Sequence, residues 1–305
     1  MDSNGKKGSA AAILLVGLLC GPACGKSLSQ MLFAPSADQR TAESLSADLT
    51  PPAAITLANP DEFSFAVFAD VQVRDEQKTL LGRFKTDVDL LGLDFFVVLG
   101  DLTEDGSIAQ LTYVKQALDG VGVPYYATIG NHDLFQVPEK GGWAGWKSTF
   151  GPATYAVTLS DRVRFLFIDT ASGDLGSTQF NWLEEQLALP TSARFTFVGS
   201  HYPVYDGITP LMWRLGSVEE RYKLSSLLNR SNVYAFVAGH LHTFESAQVG
   251  QVRHFITGSM YPYELDGGEH GYLLFNYKNG EMTSRHVVWD DVPKKGFSAT
   301  NDIHL

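Results

Sequence analysis

Cysteine is nearly absent: Cys20 and Cys24 are the only two in 305 residues. Beyond the first two dozen positions the chain can form no disulfide and offers no thiolate to a metal. Any ion must then be held by His, Asp, Asn or Gln. Basic residues are also scarce, 23 Lys and Arg against 34 Asp and Glu, for a net charge of −11. Without a basic run, a stable nucleic-acid partner is set aside, because a phosphate backbone needs a basic face. An acidic surface would likewise repel an anionic substrate unless bound cations reverse the local sign. No G-x-S-x-G elbow and no Walker loop occurs, which removes the serine-hydrolase and nucleoside-triphosphatase readings. With 44% hydrophobic and 19% charged residues the composition is that of an ordinary globular protein.

The apolar stretch at residues 10–20 is too short to span a membrane. It follows Lys6 and Lys7 and precedes Gly21-Pro22-Ala23, so residues 1–23 read as a signal peptide of an exported protein. Cleavage before Cys24 would leave an N-terminal cysteine, the attachment point of a lipid anchor to a membrane. An ordinary signal-peptidase cut at the same bond is the alternative. The product would be periplasmic, cell-surface or secreted. Residues 24–60, rich in Ser, Ala, Thr and Pro, have no sustained periodicity and read as a flexible tether. Residues 61–290 make one α/β domain, and 291–305 a C-terminal tail.

Short apolar runs alternate with helical patterns, as parallel strands with crossover helices do. Strands are expected at 63–69, 95–99, 123–129, 155–159, 163–169, 194–199 and 234–238. Helices are expected at 77–91, 108–118 and 218–228, and a further one carries Phe180, Trp182, Leu183 and Leu187. Residues 135–151, with Trp143 and Trp146 among glycines, read as a loop at the rim of a site. The remainder to about 286 reads as β.

Eight polar residues follow these strands directly: Asp70, Gln72, Asp101, Asn131, His132, His201, His240 and His242. Ligands gather beyond the carboxyl ends of strands in such sheets. A Gly-Asp pair is common, and a lone histidine after a strand is more often a hydrogen-bonded loop residue than a ligand. The whole set in order is hard to obtain without a shared metal site. Oxygen and imidazole donors suit Mn, Fe, Zn or Mg.

The series D-x-Q, GD, GNHD, SH, GH-x-H resembles the calcineurin-like metallophosphoesterase family, whose pattern is D-x-H, GD, GNH-D/E, H, GH-x-H. The resemblance covers roughly residues 63–277. It implies an α/β fold of two packed mixed β-sheets flanked by helices, an αββα sandwich, with two divalent metal ions. Carried over by position, Asp70, Gln72 and His242 would bind one ion, Asn131, His201 and His240 the other, and Asp101 both. His132 would face the leaving-group oxygen, steered by Asp133. The implied reaction is hydrolysis of a small phosphate ester, a phosphomonoester or phosphodiester, by in-line attack of a metal-bridging hydroxide. Gln72 stands where the family has histidine. An amide oxygen is a weaker, harder donor than imidazole, so the first site tilts toward Mn or Mg, with Mn favoured. The family branches with D-x-Q include manganese-dependent ADP-ribose/CDP-alcohol diphosphatases. The alternative is a non-catalytic metal-binding surface lipoprotein, against which the retention of His132 argues.

Arg74 is a candidate contact for substrate phosphate, and Tyr205 for an aromatic group. Trp143 and Tyr261 are weaker candidates of that second kind. His254 is expected to pack within a strand, His270 to approach the site, and Asp169 to orient a loop.

Overall fold

Phe65 and Ala66 are adjacent on one strand and are both fully buried, on opposite faces. That arrangement requires cover on both sides of the sheet, which explains the unbroken apolar runs. The structure, a computed structural model, describes residues 34–74, 79–205, 214–261 and 268–290. The expected signal peptide, Cys24 and the C-terminal tail lie outside the described residues.

The chain runs through α1 (Ala37–Ser44), β1 (Glu62–Phe68), α2 (Leu81–Leu91), β2 (Phe95–Leu99), α3 (Ile108–Asp119), β3 (Tyr125–Thr128) and α4 (Gly142–Phe150). Next come β4 (Tyr155–Leu159), β5 (Val163–Phe167), α5 (Ser177–Ala188), β6 (Phe195–Gly199), α6 (Val218–Arg230) and β7 (Ala235–Ala238). The chain then closes with β8 (Glu245–Val249), β9 (Val252–Ile256), β10 (Gly271–Lys278) and β11 (Glu281–Val288).

Two mixed sheets result. One has the order β11-β10-β1-β2-β3 and the other β4-β5-β6-β7-β9-β8. In the first, β1, β2 and β3 are parallel and β10 is antiparallel to β1. In the second, β5, β6, β7 and β9 are parallel, with β4 and β8 antiparallel at the edges. The inner faces meet in an aromatic core, where Phe65 stacks on Phe95 and Phe275 and meets Phe165 and Phe197 edge-on. Each such ring, fully buried, contributes roughly 1.5–3 kcal/mol. The outer face of the first sheet is covered by α2, α3 and α4, and that of the second by α5 and α6. This is the expected αββα sandwich.

Two expectations need correction. Residues 135–151 are not simply a loop, since α4 occupies Gly142–Phe150 and buries Trp143 and Trp146 in the core. Glycines at the helix–helix contact hide its periodicity: a Cβ on Gly145 would sit 2.8 Å from Leu111 Cδ1. The tryptophans therefore pack inward and do not line a rim. The expected tether at 24–60 is likewise packed where it is described. Ser36 and Gln39 form a capping box that starts α1. Arg40, fully buried, then makes a bidentate pair with Asp169 at 2.7 and 2.9 Å. Glu43 accepts from Trp143 Nε1 at 3.0 Å and pairs with Lys147. Farther on, Ile55 N donates to Tyr126 Oη at 2.8 Å, and Leu57 is buried. The helix docks through polar groups, so it shows no apolar stripe in the sequence.

Candidate metal centre

The ends of β1, β2, β3, β6 and β7 lie together, and the backbone there is unusual. Asp70, Gln72, Asp101, His240 and His242 all adopt positive φ, between 43° and 73°. Non-glycine residues in this region cost about 1 kcal/mol or more each and gather where function over-determines the backbone. Loop 69–73 continues alongside loop 100–103: Asp70 N donates to Gly100 O, Gln72 N to Asp101 O and Val73 N to Leu102 O, at 2.9–3.1 Å. Glycine is needed where the loops touch. A Cβ on Gly130 would collide with the Asp101 carboxylate, and one on Gly239 with Ala69.

His201 is fully buried. Its Nδ1 lies 2.8 Å from Leu99 O, and since a carbonyl can only accept, Nδ1 is the donor. Nε2 then faces inward, 3.2 Å from Asp101 Oδ2, 3.0 Å from Asn131 Oδ1 and 3.2 Å from His240 Nδ1. Ligand atoms of Asp101, His201 and His240 all lie within 4.8 Å of one another. Beside them, His242 Nε2 stands 3.4 Å from Asp70 Oδ1, and His240 N donates to Asp70 Oδ2 at 2.9 Å. Tyr202 stacks on the His240 ring at 3.9 Å.

Charges follow this crowding. Burial alone would raise the Asp101 carboxyl, but His201 and His132 outweigh it and hold the group well below the usual carboxylate range. Burial would lower His201, yet Asp101, Asp70 and the Leu99 carbonyl push it up to about 9. Burial, reinforced by His201, drives His240 well below the ordinary imidazole value.

The calcineurin-like phosphoesterase sequence profile matches residues 63–244. The chain belongs to the calcineurin-like phosphoesterase family. A probable cyclic nucleotide phosphodiesterase of Fibrobacter succinogenes is 27% identical over 192 residues, covering 62% of this chain and 73% of that protein. A cAMP/cGMP dual-specificity phosphodiesterase of Mycobacterium tuberculosis is 25% identical over 179 residues, 53% of each chain. Against that second relative the match spans only about half of its length. Among solved structures, a dimetal phosphatase from Danio rerio superposes with a TM-score of 0.60 at 16% identity, covering 73% of this chain and 95% of that one. That likeness concerns the fold alone.

Membership makes the chain a phosphoester hydrolase of a family that works with divalent metal ions, and the donor set fits such ions. Asp70 Oδ1 and Gln72 Oε1 are buried oxygens with no hydrogen-bond partner among the described residues. Leaving such oxygens unmatched costs about 1–3 kcal/mol each, and a cation would satisfy both. Asn131 presents its oxygen rather than its amide nitrogen to the cluster.

His132 stands at the rim, its side chain one-quarter exposed, with Nε2 4.0 Å from Asp101 Oδ2 and its ring 4.4 Å from that of Phe135. The expected steering by Asp133 is not what the structure has. Asp133 is fully buried and accepts from Gly130 N, Leu102 N, Thr103 N and Thr103 Oγ1, clamping two ligand loops together. Burial, then the Asp101 charge, raises its carboxyl to about 6. His132 is oriented instead by Glu104 O, 2.7 Å from Nδ1. The two residues are adjacent in sequence but sit on a 3-10 turn, His132–Leu134, that sends their side chains to different partners.

Arg74 lies on the rim, paired with Glu104 at 2.7 Å and 5.7 Å from the centre of the Tyr261 ring. Tyr205 is exposed and its ring lies 6.4 Å from His254. His254 is buried in β9. His270, also buried, bridges to Ser259, whose hydroxyl donates to Asp70 O at 3.0 Å. Sequence reasoning missed Glu104, Tyr202 and Glu269. The last ties down the GH-x-H turn, taking Thr243 Oγ1 and Phe244 N on its carboxylate while its N–H donates to His242 O. No local spacing marks these residues.

Proposed function

We propose that this phosphoesterase carries two divalent ions and hydrolyses phosphodiesters, with cyclic nucleotides the leading substrate class. Asp70, Gln72 and His242 would hold one ion and Asn131, His201 and His240 the other, with Asp101 between them. When bound, such a pair polarises the phosphoryl oxygens and lowers the pKa of water so that a nucleophile forms at neutral pH. Its positive charge also offsets the acidic balance of the chain, so an anionic ester can enter. The Leu99 carbonyl keeps His201 in the tautomer that offers Nε2 to the site. His132, with Nδ1 committed to Glu104 O, presents Nε2 where the leaving-group oxygen of a bound ester would lie.

The observation that carries the reading is this commitment of His132, beside a cluster of unmatched buried oxygens. A protein that only binds metal has no use for an imidazole aimed past the ligands, which disfavours the non-catalytic alternative. The diester preference draws support from the phosphodiesterase relatives. The test is the relative turnover of cyclic AMP, bis-p-nitrophenyl phosphate and p-nitrophenyl phosphate with Mn, Fe, Zn or Mg. A monoester preference of more than tenfold over both diesters would overturn the substrate class.

Export belongs to the same proposal, since Lys6, Lys7 and the apolar stretch before Cys24 have the form of a leader. A lipid anchor on Cys24 would be disproved by a Cys24→Ser chain that still incorporated labelled fatty acid.

A further inference from the structure

Two helices of this chain begin with the same pattern, Ser-x-x-Gln, and use it differently. At α1 the box closes in the usual way: Ser36 Oγ accepts from Gln39 N, and Gln39 Oε1 accepts from Ser36 N at 2.9 Å. At α3 the hydroxyl half is present, with Gln110 N directed to Ser107 Oγ. The return half is diverted. Ser107 N is taken by Asp105 Oδ1 at 2.9 Å, and Gln110 Oε1 instead accepts from Glu104 N at 3.0 Å and Asp105 N at 3.1 Å.

Asp105 N–H and Glu104 C=O belong to one planar peptide unit and point in opposite directions. Holding the N–H on Gln110 therefore fixes the carbonyl at the other end, the same oxygen that lies 2.7 Å from His132 Nδ1. Val73 O shares the Glu104 N–H at 3.0 Å, but it does not touch the peptide unit that faces His132.

We infer that Gln110 is a positioning residue that sets the tautomer and aim of His132, and this rests on the leaving-group role proposed for that histidine. With the carbonyl fixed, Nδ1 keeps its hydrogen on Glu104 O, and the second proton of the imidazolium, carried on Nε2, is the one given to the leaving-group oxygen. Without it the peptide can rotate, and the ring can present either nitrogen.

The experiment compares Gln110→Ala, Gln110→Glu and His132→Ala in the full chain, with two readouts. In metal-free protein carrying ¹⁵N-labelled histidine, the tautomer of His132 read at alkaline pH should have hydrogen on Nδ1 in wild type. Gln110→Ala should show a mixture of tautomers, and Gln110→Glu, whose carboxylate can accept the same two N–H groups, the wild-type state. In metal-loaded protein, Gln110→Ala should lose about tenfold more turnover on an alkyl phosphodiester than on its p-nitrophenyl counterpart, because only the alkoxide needs help in leaving. Metal stoichiometry by calorimetry should match wild type in both Gln110 variants. An unchanged tautomer in Gln110→Ala, or equal losses on both esters while His132→Ala discriminates between them, overturns the inference. If His132→Ala itself fails to discriminate, the leaving-group role of His132 is what falls.

Discussion

His201 Nε2 stands 3.2 Å from Asp101 Oδ2 while its Nδ1 is committed to the Leu99 carbonyl. The pair makes metal binding a proton exchange. In the metal-free protein His201 is held up to about 9, so it is protonated at neutral pH, and a cation must displace that proton. Affinity at this site should rise about tenfold per pH unit between roughly pH 6 and 9, then level off. Calorimetry in buffers of different ionisation enthalpy should find close to one proton released at pH 7 by the ion that His201 holds. A pH-independent affinity would contradict the assignment of His201.

Gln72 should be a working ligand. Gln72→Leu removes the buried oxygen and should leave one ion bound per chain. Gln72→His should keep two, with preference moved toward zinc, since imidazole is the softer donor. Elemental analysis after metal loading reads both outcomes, and two ions retained in Gln72→Leu would remove residue 72 from the ligand set.

Arg40 and Asp169 are both fully buried and meet across 129 residues of sequence. Arg40→Leu strands a buried carboxylate and should cost about 3–5 kcal/mol of stability, read from the shift of the urea midpoint. A loss below about 1 kcal/mol, the range of exposed pairs, would show that α1 is not anchored as the structure has it.

His254 predicts a stability change in acid. Burial depresses it to about 4 in the folded chain, against 6.5 unfolded, and neither ring nitrogen has a hydrogen-bond partner among the described residues. A depressed folded value means that this contribution is fully present above pH 6.5 and lost as pH falls toward 4. The loss is on the order of 3 kcal/mol at the acid end. His254→Leu should flatten the unfolding free energy over that window, and an unchanged slope would mean that water reaches the ring.

The candidate ligand residues are legible in sequence because each follows an apolar strand, and β1, β2 and β3 in one sheet, like β6 and β7 in the other, run parallel and deliver their ends together. The sandwich is legible for the same reason, since strands buried on both faces carry no polar alternation. Polar docking is what escapes such reading. Helix α1 is held by Arg40, Asp38 and Glu43 against residues a hundred or more positions away, and α4 hides its stripe among glycines. The separate partners of His132 and Asp133 are invisible for a related reason: which side chain a carbonyl or an N–H reaches depends on loop geometry that the residue types do not encode.

Metal content and phosphodiester turnover, measured on one sample of metal-loaded full chain beside Asp101→Asn, test the central claim most directly. Two divalent ions per chain are predicted, with metal-dependent hydrolysis of cyclic AMP that is lost in Asp101→Asn together with at least one ion. Folded protein that holds fewer than two ions and turns over no phosphodiester with Mn, Fe, Zn or Mg would contradict it.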